Sequence, residues 1–129
     1  MSGLDGRETA LLPLTPAVFH IMLALADGER HGYAIMQEVE RLSGGQTVLG
    51  PGTLYRSLQK MIRDEFISET QQRGDPTLDD ERRRYYQLTE FGRAIAGAEA
   101  RRLDGLVNLA KSRRLLIKET VRIRKSSKT

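Results

Sequence analysis

Thr53, Arg56, Gln59, Lys60 and Arg63 are five hydrogen-bonding side chains, three of them cationic, packed into one short stretch. Their spacing puts them on one side of a helix. Arg and Lys suit phosphate oxygens, and Arg and Gln make paired hydrogen bonds to base edges. Between them, Leu54, Leu58, Met61 and Ile62 fall at i, i+4, i+7 and i+8, an apolar stripe that faces a core. Residues 50–63 therefore predict a helix with one buried face and one basic, donor-rich face, the side-chain set that can read a major groove. Tyr55 borders the stripe and can pack while its hydroxyl reaches a phosphate. The competing reading is a merely solvated face, and the elements around it decide between the two.

Those elements follow a recognisable order. Thr15-Pro16 predicts a helix start, since Thr caps open amides and Pro fits a first turn. Val18, Ile21, Met22 and Leu25 then form a stripe thickened by Phe19, Leu23 and Ala26, ending at Asp27-Gly28. His31-Gly32-Tyr33 opens a second helix to about Leu42, with Ile35, Val39 and Leu42 expected inward and Ser43-Gly44-Gly45 as its stop. Tyr33, at that helix start, is a second candidate phosphate contact. Gln46 to Leu49 reads as extended and suits a small strand. Helix, turn, helix, connector and helix is the tri-helical order of a helix-turn-helix.

Past the third helix, Phe66 to Gln72 predicts a weak edge strand and Arg83 to Leu88 a better one, with a turn at Arg73-Gly74-Asp75-Pro76. This hairpin is the wing. Arg83 and Arg84 are its candidate backbone contacts, against an alternative in which Arg82, Arg83 and Arg84 pair with Asp79, Asp80 and Glu81. Thr89 should cap a last helix running to about Leu116 or beyond. Ala96, Ala100, Leu103, Val107, Ala110, Arg114, Ile117 and Val121 alternate in steps of four and three, a heptad seam, and Leu106, Leu109 and Leu116 widen it. A helix of that length, about 40 Å, outruns a small domain and calls for a second copy of itself. Ala96, Ala100, Leu103, Leu106, Val107 and Ala110 are the expected dimer contacts.

Composition narrows the function. There is no Cys, which excludes disulfides, zinc fingers and thiol chemistry, and His20 and His31 stand alone, so no metal or cofactor is expected. No Gly-rich phosphate loop or nucleophile elbow is present, and no enzyme activity is expected. With no apolar run of membrane length, a soluble intracellular protein is expected. The net charge of +4 misleads: residues 101–129 hold ten Lys/Arg against two Asp/Glu, leaving eleven basic and fifteen acidic side chains before them. The case for DNA rests on local placement.

On these residues the chain resembles the PadR family of bacterial transcriptional regulators. The resemblance lies in His31-Gly32-Tyr33-Ala34-Ile35, in Gly52-Thr53-Leu54-Tyr55 followed by Leu58, and in Arg82-Arg83-Arg84-Tyr85-Tyr86-Gln87-Leu88-Thr89-Glu90-Phe91-Gly92. It covers about residues 14 to 111. Arg56 stands where the family often has Pro, and Asp64-Glu65-Phe66 where Glu-x-x-Gly-Leu is common. The resemblance implies a mainly α fold with a small β-hairpin wing, a winged helix-turn-helix plus a long C-terminal dimerisation helix. Residues 1–13 would be a lead-in, 14–88 the DNA-binding domain, 89–117 the dimerisation helix and 118–129 a basic tail. It further implies a cytoplasmic homodimeric repressor, nucleoid-associated when bound, that grips double-stranded DNA at an inverted repeat and is released by a lipophilic or phenolic effector. Phe19, Met22, Phe91, Leu103 and Leu106 are candidate lining for such a ligand. The rival reading is a winged helix used for protein–protein interaction.

Overall fold

The computed structural model describes residues 10–71 and 84–116 of the chain. Helix α1 (Pro16–Leu25) starts where Thr15 Oγ1 accepts the Val18 N–H at 3.2 Å, and it buries Ile21, Met22, Ala24 and Leu25. Apolar residues lie on most sides of this helix, but its burial is one-sided, since Leu23 is exposed. Two arginines hold the carbonyls at its end: Arg30 Nε donates to Ala24 O at 2.7 Å and Arg93 donates to Ala26 O at 3.2 Å. Cationic donors at a helix C-terminus satisfy open carbonyls and meet the negative end of the dipole.

A two-residue strand, β1 (Arg30–His31), leads into α2 (Gly32–Leu42), whose first turn His31 caps by accepting the Ala34 N–H on Nδ1 at 3.2 Å. Gly32, Ile35 and Val39 are buried, but Leu42, expected inward, is exposed. Leu42 is the last residue of the helix, so no further turn brings another side chain onto the core. Its stop is a Schellman pair, Gly45 N–H to Glu40 O and Gly44 N–H to Arg41 O, with Gly44 left-handed at φ 64°.

Residues 47–50 belong to no strand, contrary to the expected strand around Thr47 to Leu49. The additional strand of the sheet is β1 instead. Helix α3 (Pro51–Arg63) follows, with Leu54, Leu58 and Met61 buried, then β2 (Ile67–Gln71) and β3 (Arg84–Leu88). The sheet order is β1-β3-β2, all antiparallel, with Arg30 opposite Tyr86 and Ile67 opposite Leu88. Central β3 buries Tyr86, and β2 is an edge, as its polar sequence predicts.

Helix α4 (Glu90–Ser112) is capped by Thr89, whose Oγ1 accepts the Gly92 N–H at 2.8 Å and donates to Glu65 O at 2.6 Å. Thr89 N–H also donates to Phe66 O at 3.0 Å. The start of α4 is thus tied to the end of α3. Gly92 lies so close that a Cβ there would overlap the Phe66 carbonyl, which is why this turn takes glycine.

Two compact units meet in sequence at Glu99 and Ala100. In the first, Ile95 of α4 joins the core formed with Ile21, Met22, Ile35, Leu54 and Leu58, Ala96 packs against it, and Ala98 is buried as well. In the second, the helix ends at Ser112, short of the expected Leu116. Leu115 N–H closes onto Ala110 O and Arg114 turns left-handed at φ 64°. The heptad seam therefore loses Arg114 as a helical position, while Ile117 and Val121 lie outside the described residues. So do the expected turn at Arg73 to Pro76, the acidic run Asp79 to Glu81, Arg82, Arg83, the lead-in before residue 10 and the tail after Leu116.

Candidate nucleic-acid interface

The two faces of α3 separate as its sequence dictates. Leu54, Leu58 and Met61 are wholly inside, while Gly52, Thr53, Arg56, Gln59, Lys60 and Arg63 are exposed. Tyr55 is half-buried beside the stripe. The N-cap is Gly50, with no side chain bonded to the first amides, and Pro51 fits the first turn. That end of the helix offers backbone donors and the positive end of a dipole to an anion.

Local partners hold part of this face in place. Arg56 donates to Thr53 Oγ1 at 3.3 Å, one turn back, and lies over Gly52. Lys60 Nζ pairs with Asp64 Oδ2 at 3.0 Å. An exposed pair of this kind is worth little in water and yields to a stronger anion. Among the described residues Arg56 is thus aimed without a carboxylate partner, whereas Lys60 arrives with its own counter-charge. Gln59 and Arg63 complete the surface.

Two further elements stand at the edge of the same domain. Tyr33, in the first turn of α2, is 63% exposed. His31, just before it, meets Tyr85 of β3 edge-on at 5.5 Å between ring centroids, and the two are partners in register. This brings the start of α2 beside the start of β3, where Arg84 lies. His31 is engaged as a cap and a ring partner, and His20 Nδ1 sits 2.9 Å from Pro16 O, so both histidines have local structural roles.

Arg84 has a carboxylate partner among the described residues. Its Nε sits 3.1 Å from Glu69 Oε2 on the neighbouring strand, a diagonal cross-strand pair two residues from the direct register. Arg83 lies outside the described residues. Met22, a candidate lining residue for an effector, is enclosed in the core and unavailable to any cleft.

Sequence reasoning missed Arg30. Besides Ala24 O it reaches Asp27 Oδ1 at 3.3 Å and Glu38 Oε2 at 3.7 Å, linking the end of α1, the turn and α2. Arg41 grips the same Glu38 through both oxygens, at 2.6 and 3.1 Å. The Arg41 hydrogen bonds hold the Glu38 carboxyl below the usual range. Burial opposes this, while the charges of Arg41 and Arg30 reinforce it. The signal was Glu38 to Arg41 at i, i+3, a spacing readable on a helix. Arg30, eight residues away across a turn, has no such periodic signature.

The family model for the PadR-like transcriptional regulators matches residues 21–98, which span α1 through the buried part of α4. A transcriptional regulator of Mycobacterium tuberculosis is 36% identical over 87 residues, covering 67% of this chain and 75% of that protein. An uncharacterized 37.1 kDa protein of a Streptomyces fradiae transposon is 37% identical over 90 residues, but these are 67% of this chain and only 24% of the transposon protein. The chain thus spans about a quarter of that relative's length. Among solved structures, PadR of Bacillus subtilis in complex with operator DNA superposes with a TM-score of 0.57 at 22% identity, covering 67% of this chain and 47% of that one. With more than half of its length inside the family model, the chain belongs to the PadR-like family of transcriptional regulators.

Proposed function

We propose that this regulator binds DNA sequence-specifically, as a homodimeric repressor on an inverted-repeat operator. The observation that carries the reading is the division of α3, with its apolar stripe sealed in the core and Thr53, Arg56, Gln59, Lys60 and Arg63 all on the open side. In this reading α3 enters the major groove and Arg56 and Gln59 meet base edges. Lys60 and Arg63 take phosphates. Tyr33, Tyr55, Arg84 and Arg83 flank the duplex, with the α3 start at its backbone. The Bacillus subtilis protein of the same fold, held with operator DNA, supports it. The second copy pairs through the exposed apolar side of α4, which includes Leu106 and Val107. The setting is the cytoplasm, on the nucleoid when bound; among the described residues no helix is long and apolar enough to cross a membrane. Relief by a lipophilic or phenolic compound completes the reading and is scored by release of operator DNA.

Selection from a random duplex pool, followed by titrations over a salt series, tests it. A selected palindromic site and affinity falling steeply with salt are expected. Arg56→Ala should cost about 1–3 kcal/mol on the selected site and relax one base position. Lys60→Ala should cost less, because Asp64 already neutralises that ammonium. Failure to retain any duplex at low salt would leave the protein-interaction reading in its place.

A further inference from the structure

Val48 is 67% exposed, the most exposed aliphatic side chain among the described residues of the first unit. Nothing in the packing of the domain uses it, yet the backbone that carries it is pinned on both sides. Ser43 Oγ accepts the Thr47 N–H at 2.9 Å and lies 3.4 Å from Thr47 O, which fixes the connector to the end of α2. On the other side Leu49 is buried in the same core as Leu54 and Leu58. Leu49 is buried while Val48 is exposed, so Val48 points away from the core that Leu49 enters. The outward side chains of α3 point away from that core as well, and Thr53 is only five residues further on. A β-branched side chain has little rotamer freedom to lose. Val48 is a stiff apolar knob five residues ahead of a hydrogen-bonding helix face.

A major groove presents one apolar group among its donors and acceptors, the C5 methyl of thymine. We propose that Val48 is a specificity-determining residue that packs on a thymine methyl at the edge of the site read by α3. The proposal rests on the DNA-binding reading above. Arg56 and Gln59 supply polar contacts and Val48 the apolar one, so the selected half-site should carry a fixed thymine flanking the positions sensitive to Arg56.

The test uses the full chain and the duplex selected from the random pool. Each thymine is replaced in turn by deoxyuridine, which removes only the methyl. The wild-type protein should weaken about fourfold at one thymine per half-site, the loss of one buried methyl-sized group. Val48→Ala, which loses the contact in both half-sites, should bind the thymine duplex as weakly as the wild type binds the duplex carrying uracil at both positions, and should be indifferent to the replacement. Indifference of the wild type to every replacement overturns the proposal, as does unchanged methyl sensitivity in Val48→Ala. So does altered sedimentation of Val48→Ala, which would mark a protein contact. If no duplex is selected at all, the DNA-binding reading itself has failed, an outcome distinct from a selected site that ignores its methyls. Circular dichroism of Val48→Ala guards the comparison, and Val48→Thr, which keeps the branched shape, should retain the methyl preference.

Discussion

The first ten residues of α4 and the thirteen that follow are one helix built on two different terms. From Glu90 to Glu99 the apolar positions Phe91, Ile95 and Ala98 fall at i, i+4 and i+7, and Ile95 is sealed in the core while Gly92 touches the Phe66 backbone. From Ala100 to Ser112 apolar residues are as frequent, yet Leu106 is 51% and Leu109 53% exposed. One half is specified by a neighbour within the protomer. The other carries a stripe without a cover among the described residues of its own unit, the pattern of an association surface. Apolar content alone does not distinguish the two; what distinguishes them is whether the facing surface belongs to the same chain.

The largest test of this contrast is Ile95→Ala, which should cost about 2–5 kcal/mol of protomer stability, seen as a lower denaturant midpoint at every protein concentration. A loss that disappeared at high concentration would mean that Ile95 too serves association. Leu106→Asp should do the reverse. It leaves the fold of the first unit intact and weakens self-association, so sedimentation should shift towards monomer while the far-ultraviolet spectrum is retained. A dimer of undiminished affinity would place the interface elsewhere.

Acid should also divide the units. Glu38, 14% exposed at its side chain, has its pKa lowered by Arg41, so its contribution is present at neutral pH and above the ordinary Glu value of about 4.3. It is lost as the pH falls through the lower folded value. Melting of wild type and Glu38→Gln should differ at neutral pH and converge in acid; a constant gap would remove Glu38 from the titration. The smallest effects concern the helix stops. Glu65 and Arg114 both hold positive φ, where glycine fits without a Cβ penalty. Glu65→Gly should raise the stability of the first unit by less than about 1 kcal/mol, whereas Arg114→Gly should leave its melting unchanged. Equal effects would show that the two stretches melt as one.

The parts of the fold legible in sequence were those with local chemical signatures. Thr15-Pro16, His31 and Thr89 announce helix starts because capping needs only one residue and its neighbours. The two faces of α3 are legible because thirteen residues give periodicity room to show. Its site assignments remain proposals, since spacing names a face and not its occupant. What stayed hidden was short or distant. Strand β1 has two residues, too few for alternation, and exists because β3 offers it an edge. The pairing of Arg84 with Glu69 depends on register across a hairpin rather than on sequence proximity. The end of α4 at Ser112 went unread because no Gly or Pro marks it and Arg114 supplies the left-handed residue itself. Ile95 was overlooked because a seam drawn in steps of four and three passes beside it, through Ala96.

The knot of Thr89 and Gly92 on Glu65 and Phe66 has a consequence for how such a chain can vary. Ile67 faces Leu88 and Gln71 faces Arg84, so the hairpin is closed at its base before residues 72–83 begin. The joint between α3 and α4 therefore does not dictate how many residues connect β2 to β3. Doubling a flexible loop costs only about 0.6 kcal/mol of closure entropy. The length of that connection can change while the joint of Thr89 and Gly92 on Glu65 and Phe66 stays as it is.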